Sequence, residues 1–164
     1  MDFWEVVEKR RSVREYRNQK IDQEKLKRII DAAHLAPTAR GQEPWEFIVV
    51  TEKKSLEELG EITDHGKFLK SASAGIIVVS KDTKYYLEDG SAATENILLA
   101  ATSFGIGSCW IAGDKKAYAT DICKYLNVPN EYKLVSIISL GYSDSEPKVY
   151  QKRSVDEVLH QEKF

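Results

Sequence analysis

Apolar residues recur at helical spacing along parts of the chain and crowd into short unbroken runs elsewhere. Residues 2–10 predict a short helix. Phe3, Val6 and Val7 form its apolar face, and Asp2 with Glu5 three positions later has the form of a capping box. Leu26, Ile29, Ile30, Ala33 and Leu35 predict a helix over 23–36 that Pro37 terminates. Four apolar runs predict strands: 45–51 (WEFIVVT), 75–80 (GIIVVS), 108–112 (SCWIA) and 133–140 (KLVSIISL). Ser55 with Glu58 predicts a capped helix to about Ile62, residues 115–126 another, and Ser154 with Glu157 a last short one. Residues 12–17 (SVREYR) are too short and too charged to assign.

The longest helix is predicted over 87–104. Leu87, Ala92, Ala93, Ile97, Leu98, Leu99, Ala100, Ala101 and Phe104 spread nearly all round it. A helix apolar on every side is buried on every side, so it is either central or at a subunit interface. Gly105 and Gly107 end it. Strands separated by helices imply a layered α+β or α/β fold, and the absence of repeats or linkers implies one domain over 1–164.

Composition narrows the function classes. The 164 residues are 42% hydrophobic and 30% charged, ordinary for a globular chain. A net charge of −2 gives no global attraction to nucleic acid. Between Lys9 and Arg28, however, nine Lys/Arg face three Asp/Glu, a local cationic cluster suited to a small anion. Cys109 and Cys123 lack CxxC or Cys/His spacing, and His34, His65 and His160 are scattered, so no metal site is expected. The longest strongly apolar run, Ala74 to Val79, is far too short to span a bilayer, and MDFWEVVEKRR lacks a signal peptide's apolar stretch; a cytoplasmic location is expected.

Three segments carry candidate chemistry. Arg10-Arg11-Ser12-Val13-Arg14 offers three forked guanidinium groups and a hydroxyl, a set able to surround one phosphate or to form a solvated basic turn. Ala36 to Trp45 (APTARGQEPW) joins a helix end to a buried strand with small residues against which a flat ligand could lie; an ordinary loop reads the same way. Asp89 to Gly113 runs from the apolar helix through a glycine-rich turn into a strand. That helix-to-strand order is the reverse of a Rossmann fingerprint.

Taken in order, these segments resemble the FMN-dependent nitroreductase family, especially its short members. The shared motifs are the RRSxRxY-like segment (Arg10 to Tyr16), the AP-Thr-A…PW loop, the alanine-rich helix running into GSCWI, and Leu140-Gly141-Tyr142 followed by Lys152-Arg153. The resemblance implies a nitroreductase-like α+β fold: a central mixed sheet flanked by helices, and a homodimer built around the long helix. It implies FMN as cofactor, with Arg10, Arg11, Ser12, Arg14, Lys152 and Arg153 around its phosphate, ribityl chain and pyrimidine edge. Pro37, Thr38 and Ala39 would reach the flavin of the other subunit, and backbone N–H groups of Ala112 and Gly113 would point at N5. Asp64 and Lys67 occupy places similar to a family Asn/Lys pair at the polar edge. Gly41 and Glu43 depart from the family's usual loop. Arg40, Gly41 and Tyr118 are candidates for the open flavin face.

The implied reaction is ping-pong hydride transfer from NAD(P)H through flavin N5 to a small acceptor such as a nitroaromatic or quinone. The cofactor carries the chemistry, so no catalytic side chain is required. Two alternatives remain: a reductive dehalogenase-like or other specialised reductase of the same fold, and a non-catalytic flavin-binding protein.

Overall fold

The computed structural model describes residues 1–145, 147 and 149–164. Five helices and four strands follow in the order α1 (Phe3–Lys9), α2 (Gln23–His34), β1 (Trp45–Val50), α3 (Lys53–Ile62), β2 (Ala74–Lys81), α4 (Tyr86–Ser103), β3 (Gly107–Ala112), α5 (Ala119–Tyr125) and β4 (Tyr132–Gly141).

The strands form one sheet in the order β1-β2-β4-β3. All three pairings are antiparallel, with Phe47 opposite Val78, Ile76 opposite Ile138 and Cys109 opposite Ser139. The sheet is therefore not mixed as expected; the parallel element among the described residues is an isolated bridge from Ser12 to Ser108. The cause is that β2 and β4 are central and covered on both faces. Their unbroken apolar runs look like those of parallel strands, and periodicity carries no strand direction.

Alternate residues of β2 point to opposite layers. Ile76 and Val78 join Ile29 and Ala33 of α2, Ile97 of α4, and Ile138 and Leu140 of β4. Ile77 and Val79 join Leu56 and Leu59 of α3, Ile122 of α5, and Ile111 and Ile137. Burying each such isoleucine or leucine contributes about 1.5–3 kcal/mol. Helix α4 is central, packed on α2 and across β4 and β3. Its buried stripe includes Ala93, Ile97, Leu98 and Ala101, whereas Glu88, Glu95 and Ser103 are exposed. It is thus buried on one broad face within this chain rather than all round.

Local signals explain most element ends. Asp2 Oδ1 accepts the Glu5 N–H at 2.9 Å, and Glu5 Oε2 accepts the Asp2 N–H at 3.1 Å, completing the expected capping box. Asp22 accepts the Glu24 N–H at 2.8 Å to open α2, which stops at His34. Helix α3 begins two residues before Ser55, behind Glu52, so Ser55 lies inside it and forms no cap. Helix α5 begins only at Ala119, because Lys115 takes a left-handed backbone (φ 60°) that a helix start excludes. Ser154 and Glu157 do meet, but over a single turn of 3-10 helix, Val155–Glu157. No helix among the described residues is long and apolar enough to cross a membrane.

Candidate functional site

The segment after α1 runs along the free edge of β3. The Val13 N–H donates to the Ser108 carbonyl at 2.9 Å. Val13 is buried, which turns Ser12 and Arg14 outward on either side of it. Two glycines make this docking possible. A Cβ on Gly107 would stand 2.9 Å from Val13, and one on Gly141 would stand 2.6 Å from the Tyr16 ring. The Tyr16 hydroxyl donates to the Val13 carbonyl at 2.6 Å and meets Ser139 Oγ at 2.7 Å, tying the segment to β4. Burial pushes the Tyr16 phenol far above its ordinary range, so it stays a neutral donor.

This docking opens a cleft of about 840 Å³. Its walls are α1 (Val7, Glu8), the basic segment (Arg10, Arg11, Ser12, Arg14), α4 (Glu95, Leu99) and the C-terminal stretch (Tyr150, Lys152). Four cationic side chains thus confront two carboxylates beside the Ser12 and Tyr150 hydroxyls, an arrangement that favours a small dianion. Arg11 also donates to the Glu8 and Arg10 carbonyls at 2.5 and 2.8 Å, closing the end of α1. Arg14 stacks over Phe68, 5.9 Å from its centroid. The cationic field reaches β3: burial raises the Cys109 thiol pKa, while Arg14, the Ser12 hydroxyl and Arg10 pull against it. Ser108, bridged to Ser12, keeps a buried hydroxyl with no hydrogen-bond partner.

The other expected residues lie outside the lining of this cleft. Ala112 ends β3, and Gly113 is buried where a Cβ would lie 2.7 Å from Leu134 Cγ. Tyr118 is not on an open face. It is buried, and its hydroxyl donates to the Ala112 carbonyl, bracing the turn from behind. Pro37 is exposed; Thr38 and Ala39 are half-buried in a loop carrying left-handed Arg40 (φ 60°) and Glu43 (φ 45°). Asp89 holds that loop: its side chain is 5% exposed and Oδ1 accepts the Ala39 N–H at 2.9 Å. Lys67 is exposed and pairs with Glu61 at 3.7 Å, and Asp64 pairs with Lys116 at 3.4 Å. It is Phe68, the next residue, that touches Arg14. Arg153 is exposed, beyond the cleft lining.

Three contributors escaped sequence inspection: Tyr16 as an anchor, Asp89 as the loop's acceptor, and Glu95 inside the cationic cleft. For Glu95 a signal existed, since it is the one charged residue between Asp89 and Ser103 in an otherwise apolar and small-residue helix.

Comparison with known proteins agrees with this fold. A protein of Archaeoglobus fulgidus, provisionally named NADH dehydrogenase/NAD(P)H nitroreductase, is 37% identical over 168 residues, covering 97% of each chain. An iodotyrosine deiodinase of Thermotoga neapolitana is 24% identical over 180 residues, covering 93% of this chain and 95% of that one. Among solved structures, an FMN-dependent nitroreductase of Clostridium difficile superposes with a TM-score of 0.91 at 36% identity, covering 97% of this chain and 98% of the other. The model of the Nitroreductase family matches residues 7–82 and 65–142, which take in the basic segment, the loop, α4 and all four strands. With a fold and a sequence that match over nearly its whole length, the chain belongs to the nitroreductase family.

Proposed function

We propose that this protein is an FMN-dependent NAD(P)H oxidoreductase, one domain over 1–164, acting in the cytoplasm as a homodimer on a small acceptor such as a nitroaromatic or quinone. The observation that carries this reading is the meeting of Arg10, Ser12 and Arg14 with Lys152, some 140 residues away in the chain, at one cleft. Phosphate is the ligand that such forked and point cations suit best. The exposed Ser12 hydroxyl lies among these cations in the same cleft and can add a neutral donor to the phosphate.

In this reading Arg10, Arg11, Ser12 and Lys152 hold the FMN phosphate and ribityl chain, with Arg153 as an outer cation. Arg14, stacked on Phe68, faces the pyrimidine edge, with Lys67 nearby. Ala112 and Gly113 present backbone at N5 from a turn that Tyr118 braces. Bound FMN supplies hydride transfer between nicotinamide and acceptor at that edge. The chain's own work is to bind, orient and keep one face accessible.

A dimer is supported by what the single chain leaves in water. Phe3 and Trp4 are 66% and 71% exposed, and Val149, Val155, Leu159 and Phe164 stand out from a C-terminal stretch with no buried residue. Apolar groups so placed call for a partner. A second subunit would bring Pro37, Thr38 and Ala39 to the neighbouring flavin.

The deiodinase likeness favours a dehalogenase as the second reading. Only four residues separate β2 from α4, however, which leaves no insertion there to close over a substrate. The test is direct: purified protein should bind FMN, bleach with NADH or NADPH under anaerobic conditions, and reoxidise with a nitroaromatic or quinone. Turnover of a halophenol instead would select the second reading; flavin binding without bleaching would select a binding protein.

A further inference from the structure

The cleft assigned to the phosphate contains a carboxylate that works against it. Glu95 Oε1 lies 4.0 Å from Arg10 Nε, at half-exposed side chains. Leu99, one turn further along α4, lines the same cleft, so Glu95 faces into it rather than away. No helical partner explains the charge: Ser91 and Leu99 stand four residues to either side and neither is basic. Among the described residues its ion-pair partner is Arg10, across the cleft.

We infer that Glu95 sets the preference for phosphorylated over unphosphorylated flavin, by placing beside Arg10 a negative charge that opposes the phosphate's own. This rests on the cleft being the phosphate site. At 4.0 Å the pair is a charge contact without a hydrogen bond, so Glu95 lowers the positive potential at Arg10 without filling its fork. An incoming dianion therefore meets a partly compensated Arg10 and the repulsion of the Glu95 charge beside it. Riboflavin, which has no phosphate, meets neither cost. The chain thus holds its cofactor less tightly than four cations would allow, which makes FMN exchangeable.

The experiment titrates flavin-free protein with FMN and, separately, with riboflavin, following flavin fluorescence. E95Q keeps the side-chain shape and removes the charge. It should bind FMN about fivefold tighter, in line with a partly exposed charge contact. Riboflavin binding should not change, and the FMN gain should shrink as sodium chloride is raised. E95D, which keeps the charge, should stay near wild type, and E95A, which removes it, serves with the same expected FMN gain if E95Q fails to fold. Unchanged or weaker FMN binding in E95Q would overturn the inference, showing Glu95 to be neutral or to orient Arg10 productively. Equal tightening of riboflavin would overturn it too. The underlying assignment has its own control: wild type should prefer FMN to riboflavin, and R10A should abolish that preference. If wild type shows no preference, the phosphate site itself is wrong, and the inference falls with it. If the preference and its Arg10 dependence stand while E95Q behaves as wild type, only the inference fails.

Discussion

Tyr16 packs against Gly141 so closely that any side chain there would strike its ring, at 2.6 Å from Cδ1 for a Cβ alone. This contact is how β4 positions the basic segment, since the same phenol also holds the Val13 carbonyl and Ser139. Gly141→Ala should push the ring away, cost about 1–3 kcal/mol as overpacking does, and weaken FMN binding in parallel. Tyr16→Phe keeps the ring but strands Ser139, and should cost about 1–2 kcal/mol with a smaller effect on the flavin. Chemical denaturation and FMN titration of both variants check the pair.

Arg10→Ala with Arg14→Ala should abolish most flavin affinity. Each charge-assisted hydrogen bond is worth about 1.5–3 kcal/mol, so the double variant should lose roughly a hundredfold or more. Folding stability should change by less than about 1 kcal/mol, because the Arg10 pair is long and partly exposed. A visible spectrum and a thermal melt on the same sample distinguish loss of cofactor from loss of fold.

Asp89→Ala should free the loop from Thr38 to Gly41. It removes a buried acceptor from the Ala39 N–H, at a cost of about 1–3 kcal/mol. Asp89→Asn keeps a carbonyl oxygen in place and should cost less. Exposed Arg40 gives a readout: trypsin should cut after it faster in the alanine variant than in wild type, with asparagine between.

Alkaline stability should depend on Tyr86. Its hydrogen bond to Asp114 Oδ1, at 2.6 Å, is the main cause of a pKa raised from 10.0 to about 12, with burial and nearby carboxylates adding to it. Between those values the native state keeps a proton that the unfolded chain releases. The contribution is therefore whole below pH 10 and disappears as pH rises through about 12. Denaturation midpoints across that window should fall more steeply for wild type than for Tyr86→Phe.

Both thiols should be inert in the native protein. Burial raises the pKa of Cys109 and of Cys123, leaving little thiolate at neutral pH. Iodoacetamide should label neither quickly until denaturant is added, and FMN binding should survive the treatment.

Much of this was legible before any fold was known. The capping box at Asp2, the stop before Pro37 and the four apolar runs are local, because a hydrogen bond to the next turn or a run of β-branched residues depends on near neighbours. The Ser55 box failed for the same reason: a helix already started by its own packing carries Ser55 inside it. Strand direction was illegible in β2 and β4, whose two buried faces erase the alternation that marks an antiparallel strand.

By itself the sequence determined the helix and strand content, the cationic segment at Arg10 to Arg14, and the family resemblance those motifs carry. Only the tertiary structure decided that Lys152 but not Arg153 lines the cleft, that Tyr16 and Asp89 hold the two loops, and that Glu95 faces Arg10. Each of these depends on residues tens of positions apart, whose meeting is set by which sheet edge is free and where a helix crosses it, and no local pattern encodes that.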